Sequence, residues 1–205
     1  MYYKTVVKQA KPVNFTPYQL HQEIWSLFPG MQRGNSLFIY RIGKNCIYLI
    51  SAAPPVSTTG QWLVGPSTIF NPQFAEGTVV DFMTRINPVY DRDDGRHGVV
   101  MDYIHGLRKS GLPPSEWPTG EELKVLACTK WFKEKCSNFS IQDFRINQFQ
   151  DVQFLNEKTG DMMKFTIADI VGRLIVTNPN GFKRNLFEGI GKSRRFGHGM
   201  MMVPV

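Results

Sequence analysis

Two stretches of the chain hold side chains that could do chemistry. In the first, Tyr18 and His21 lie three residues apart, so a helix puts a phenol and an imidazole one turn apart, with Trp25 extending the stripe. Imidazole is the side chain that gives and takes a proton near neutral pH, which makes His21 a candidate general acid or base and Tyr18 its partner. A histidine that only packs its helix is the plainer reading of the same residue. The second stretch, residues 189–199 (GIGKSRRFGHG), sets Gly189, Gly191, Gly197 and Gly199 among Lys192, Arg194, Arg195 and His198. Glycine permits positive φ and close backbone approach, and clustered N–H groups beside Lys192, Arg194 and Arg195 suit phosphates. A tight basic loop without a ligand is the alternative. Two nucleotide motifs are excluded: a P-loop would need glycine at position 186, which is Leu186, and GxGxxG would need it at Arg194.

Other reactive groups form no constellation. His97, His105 and His198 are scattered, and Cys46, Cys128 and Cys136 lack metal-ligand spacing, so neither a metal nor a small-molecule cofactor is expected. The thiols read as free cysteines of a reducing cytoplasm. Neither a Ser/His/Asp order nor a nucleophilic cysteine context is present. Chemistry at an RNA phosphate needs neither, because the substrate's own 2′-hydroxyl can attack while the protein moves protons and stabilises charge. The 205 residues carry 24 Lys+Arg against 17 Asp+Glu, a net charge of +7 that is compatible with a polyanionic partner. No apolar run approaches the roughly 18 residues that span a bilayer, and the first residues alternate like a strand rather than a signal peptide.

The elements that must position these groups follow from patterning. Thr16 can cap a helix, Pro17 suits its first turn, Leu20, Ile24, Leu27 and Phe28 form a buried stripe, and Pro29-Gly30 stops it. Strands are predicted over residues 2–10, Ser36–Ile42, Cys46–Ser51 and Gly77–Asn87, with a short helix or turn at Thr59–Gly65. Asp91–Gly98 reads as the domain junction. A weak strand is predicted at Val99–Tyr103, then a Pro-containing loop to residue 118 and a helix over Thr119–Lys135 with a Thr119/Glu122 capping box. Strands Phe149–Leu155, Met163–Ile170 and Gly172–Thr177, a helix Pro179–Glu188 and a last strand Met200–Val203 complete the order. The fold class is therefore α+β, two tandem ferredoxin-like (RRM-like, βαββαβ) domains over residues 1–92 and 93–205. Lys158–Lys164 reads as a hairpin with basic ends, open both to backbone contact and to simple solvation. Arg92, Arg96, Arg108 and Lys109 make a diffuse basic region.

YQLHQEIWSLFP, RINP at Arg85–Pro88 and GIGKSRRFGHG together resemble the CasE family, the CRISPR-RNA-processing endoribonucleases of the type I-E Cascade system. The resemblance spans the chain in motif order. It implies metal-independent cutting at the base of a CRISPR-repeat stem-loop RNA, leaving a 2′,3′-cyclic phosphate and a 5′-hydroxyl. It implies His21 as catalytic general acid/base, Tyr18 as its partner, and the loop of Gly189, Gly191, Lys192, Arg194, Arg195, Gly197 and Gly199 as RNA-lining. Lys164 and Lys158 match the hairpin that contacts the cut region, and other Cascade subunits are the implied partners. The segment between Tyr90 and Trp117 departs from the family pattern, and KSRRF is more basic than its usual loop. A non-catalytic RNA-binding subunit, or a small-ligand domain pair, would be the rival functions.

Overall fold

Helix α1 (Pro17–Ser26) starts where the sequence places it, and for a local reason. The Thr16 side chain accepts from the Gln19 amide, while the Gln19 side chain accepts from the Thr16 N–H at 2.9 Å, a reciprocal cap on two orphan donors. The computed structural model describes residues 1–32, 37–93, 95–155 and 159–204. Leu20 and Ile24 bury against the first sheet, whose strands are β1 (Tyr3–Gln9), β2 (Phe38–Ile42), β3 (Ile47–Ser51), β4 (Trp62–Val64) and β5 (Thr68–Ile69). Its order is β2-β3-β1-β4, all antiparallel, with β5 also on β1. The second sheet takes β6 (Val79–Ile86), β9 (Phe139–Leu155), β10 (Met162–Val176) and β11 (Met201–Met202) in the order β11-β6-β10-β9. Between β6 and β9 come the hairpin β7 (Val89–Arg92) and β8 (Gly95–Gly98), then α2 (Val99–Lys109) and α3 (Gly120–Lys135); α4 (Pro179–Glu188) follows β10. Both sheets order their strands second, third, first, fourth along the chain, the ferredoxin-like arrangement, in tandem. Among the described residues no helix is long and apolar enough to cross a membrane.

Four readings of the sequence change. The strand expected at Gly77–Asn87 exists as β6 but is hydrogen-bonded between β11 and β10, so the chain passes to the second sheet between Ile69 and Val79, ahead of position 92. Element order alone cannot say which sheet a strand joins. The first sheet fills its fourth place with β4 and β5, and β4 lies where a helix or turn was expected at Thr59–Gly65. Val99–Tyr103, expected as a strand, opens α2: Val99 and Tyr103, four residues apart, pack in one cluster with Ala127 and Trp131 of α3. Finally, β9 begins ten residues before the strand expected at 149, and β10 fuses the two strands expected at 163–170 and 172–177. Asn147 and Gln142 have no partner on β10, so each is a bulge that resets the period-2 phase. That is why Ile141, Phe144, Ile146 and Phe149 did not read as one strand.

The two sheets are joined by a shared core and by charge. Ile39, Ile50 and Phe70 from the first unit pack in the same cluster as Ile86, Leu186, Ile190, Met200 and Met201 of the second. Arg41 on β2 reaches Asp169 on β10 at 3.1 Å, and Arg85 on β6 binds the same carboxylate through Nε at 2.9 Å and a terminal nitrogen at 2.6 Å. Burial on its own would raise the Asp169 carboxyl, but the Arg85 and Arg41 guanidiniums outweigh it and hold the group below the usual carboxylate range. A carboxyl depressed by folding adds stability above its unfolded pKa, about 4, and that stability is lost as pH falls through the lower folded value. Urea midpoints measured against pH should therefore fall on acidification more steeply for the wild type than for Asp169→Asn, which starts lower and loses this component. Parallel curves would refute the assignment.

Candidate functional site

His21 stands half-buried on the side of α1 that meets β2. Its Nε2 accepts the indole N–H of Trp25 at 3.2 Å, and its ring lies 5.8 Å from that of Phe38. Phe38 in turn stacks on Phe28 at 5.2 Å, so the wall behind the imidazole is aromatic and fixed by the core. Tyr18, also half-buried, sits one turn earlier on the same helix.

The glycine-rich segment approaches from the far end of the chain. It closes on itself and on β6: the Ile190 amide donates to the Gly199 carbonyl at 2.8 Å, and the Gly199 amide to the Arg85 carbonyl at 2.6 Å. At Gly199 φ is +85°, and a Cβ would lie 2.4 Å from the Ile190 carbonyl oxygen, so only glycine fits. At Gly191 a Cβ would sit 2.9 Å from the Trp131 ring, whose N–H is held by the Val89 carbonyl. Gly189 lies against Ile39 and Gly197 against Tyr40, both on β2. The segment's tip, a 3₁₀ turn over Arg194–Phe196, is thereby set beside α1 and β2. Phe196 stacks on Phe165 at 5.7 Å, tying the tip to β10, and the Tyr40 hydroxyl donates to the Arg195 carbonyl at 2.8 Å.

This architecture places the residues singled out by sequence unevenly. The amides of Gly189, Ile190, Phe196, Gly197 and Gly199 all donate to protein carbonyls, so the glycines serve packing and closure. Lys192 pairs with Asp91 at 2.7 Å, and Arg194 donates to the Glu188 carbonyl at 2.6 Å. Arg195 is exposed, its guanidinium 4.8 Å from the Phe196 ring centre, with no carboxylate in salt-bridge range among the described residues. His198, counted among the loop's basic residues, is 2% exposed; burial first, then the Arg85 charge, push its pKa down to about 4, so it is neutral at pH 7. Lys164 is exposed on β10, on the face opposite Phe165. Lys158 lies outside the described residues. Within the basic region, Arg92 pairs with Asp102 and Arg96 with Asp91, while Arg108 lies over Trp117. Burial pushes the Cys128 and Cys136 thiols up to about 12, which leaves them unreactive. Among the described residues no three His, Cys, Asp or Glu side chains group to hold a metal. Sequence reasoning missed Tyr40 and Phe38, because their alternation in FIYRI marks a strand and gives no hint of what the inward side chains touch.

The profile of the family described as CRISPR associated protein matches residues 4–204. No curated protein matches the chain. Among solved structures, the CRISPR endoribonuclease Cse3 bound to a 19-nucleotide RNA superposes with a TM-score of 0.72 at 16% identity, over 100% of both chains. Thermus thermophilus Cse3, bound to an RNA representing a pre-cleavage complex, gives 0.70 at 18% identity, over 100% of this chain and 99% of that one. The CRISPR-associated protein Cas6e from Escherichia coli K-12 gives 0.68 at 21% identity, over 99% and 98%. At these identities the likeness is one of fold.

Burial pushes the Tyr40 phenol far above its usual range, so its hydroxyl stays a donor at any working pH. Replacing it by phenylalanine leaves the Arg195 carbonyl without that bond, at a cost of about 1 kcal/mol. Amide exchange of Phe196 and Gly197 in Tyr40→Phe should rise about fivefold while exchange in β6 holds. Unchanged exchange at the tip would show that the hydroxyl does not hold it.

Proposed function

Because the chain belongs to the family of CRISPR associated proteins, we propose that it is a metal-independent endoribonuclease that matures CRISPR RNA. It cuts at the base of the repeat stem-loop and stays bound in the cytoplasm as a subunit of a Cascade complex. The observation that carries this reading is the juxtaposition of the His21 helix with the Arg194–Phe196 tip, which join a proton carrier to a cationic surface although the sequence separates them widely. The structures of Cse3 with RNA, one of them a pre-cleavage complex, support it through the shared fold.

The reaction asks little of the protein beyond protons and charge. The ribose 2′-oxygen attacks the adjacent phosphorus as its hydrogen is removed, the bond from phosphorus to the 5′-oxygen breaks, and that oxygen takes up a proton. The products are a 2′,3′-cyclic phosphate and a 5′-hydroxyl. His21 moves protons at the attacking 2′-hydroxyl or the leaving 5′-oxygen, with Tyr18 assisting; such catalysis contributes roughly 10²–10⁴-fold. Arg195, pointing outward beside α1, is the best placed cation for the phosphate, with Lys192 and Arg194 once their present partners yield. Lys158 and Lys164 contact the RNA near the cut, and the glycines shape the surface that receives it.

Labelled repeat RNA incubated with the protein in EDTA should be cut once, at the base of the hairpin. His21→Ala should abolish the cut while leaving binding within about threefold, since one imidazole adds little to a phosphate-dominated affinity. RNA with a 2′-deoxy residue at the cut site should bind and stay whole. Full activity of His21→Ala would end the assignment, and intact RNA with the wild type would leave a non-catalytic RNA-binding subunit. Affinity that does not weaken with salt would argue against RNA altogether, because phosphate contacts release counterions.

A further inference from the structure

An indole nitrogen has one hydrogen and no free lone pair, so it only donates. Trp25 gives that hydrogen to Nε2 of His21 at 3.2 Å, from one turn further along α1. The nitrogen it meets must be proton-free. Neutral His21 then carries its hydrogen on Nδ1, whereas a free imidazole in water favours Nε2. A doubly protonated ring would turn two N–H groups on each other, so the same contact opposes the cation. The pair is not a loose surface contact. The Phe38 ring on β2 lies 5.0 Å from the Trp25 ring and 5.8 Å from the His21 ring, backing both from one side. Phe38 is itself stacked on the core residue Phe28.

Resting on the ribonuclease reading above, we propose that Trp25 is a positioning residue whose indole N–H keeps His21 Nε2 proton-free and fixes the plane of its ring. The bond it makes has the polarity of the one a ribose 2′-hydroxyl would make. A hydroxyl arriving with the RNA is also a donor, so it can take the indole's place on the same lone pair without any change in the protonation of the imidazole. The indole thus holds open a proton-accepting site on the enzyme before substrate arrives.

Nitrogen-15 spectra of His21 in the free, full chain, recorded above the ordinary imidazole range, read the tautomer directly. The wild type should show a bare Nε2 and a protonated Nδ1. Trp25→Phe keeps a ring against Phe38 and removes the N–H, so the imidazole should move towards the Nε2–H form. On hairpin RNA with protein in excess, the same variant should lose about tenfold in single-turnover cleavage rate with Kd unchanged, because binding is retained while the proton acceptor is misset. A wild-type spectrum with the hydrogen on Nε2 overturns the proposal without recourse to any variant. So does a Trp25→Phe protein whose nitrogen shifts match the wild type, whether or not the single-turnover rate falls, since a loss of rate alone would mean packing. If the wild type cuts no RNA, the ribonuclease reading fails while the nitrogen spectra still decide what Trp25 does.

Discussion

The Gly199 amide donates to the Arg85 carbonyl at 2.6 Å, in a space so tight that a methyl group there would overlap the Ile190 carbonyl. This contact closes the glycine-rich segment onto β6 and fixes where everything between residues 189 and 199 must lie. With the base pinned, Phe196 reaches the Phe165 ring and the Arg195 carbonyl reaches Tyr40, so the tip lands beside α1. Were the base to open, the cationic tip would have no fixed relation to His21. The tolerance is narrow because the neighbours are themselves buried: Ile39, Tyr40 and Trp131 are all 2% exposed or less. Packed interiors shift by discrete repacking and do not deform smoothly, so the loop is either seated or displaced.

Charge is managed on a similar pattern. A net +7 suggests a uniformly cationic surface, yet several of the cations are paired with carboxylates of the chain itself. Arg41 and Arg85 share Asp169 between the sheets, Arg173 pairs with Asp81, and Lys192 with Asp91. What remains for a polyanion is a smaller set, with Arg195 placed where the two units meet. The pairing of Arg41 with Asp169 also joins the two sheets across a partly buried seam, where water screens it less than it would at the surface.

How much of this was legible in the sequence depends on the range of the interactions. Helix α1 was readable almost to the residue, because Thr16, Pro17, the Leu20/Ile24 stripe and Pro29 all act within a turn or two. The family resemblance rested on equally local strings. Sheet membership was not readable for β6, since nothing in GTVVDFMTRIN says which strands will flank it. The bulges at Gln142 and Asn147 hid ten residues of β9 by shifting the phase of its apolar positions. The glycines of residues 189–199 were visible and their purpose was not. A phosphate cradle and a packing joint demand the same residue; Ile39, Tyr40 and Trp131 fill the space a side chain would need, and the Gly189, Gly197 and Gly199 amides already donate to carbonyls.

The Tyr40 hydroxyl and the Arg195 carbonyl are 155 residues apart in the chain. During synthesis the helix with His21 emerges early and can fold against its own small sheet, but its counterpart does not yet exist. The site therefore stays incomplete until the polypeptide has been extended past residue 199 and the second sheet has closed. Contacts this distant in sequence also raise the contact order, which slows the final folding step relative to a domain built from neighbouring segments. A nascent fragment thus carries the histidine without the cationic tip that stands beside it in the complete fold.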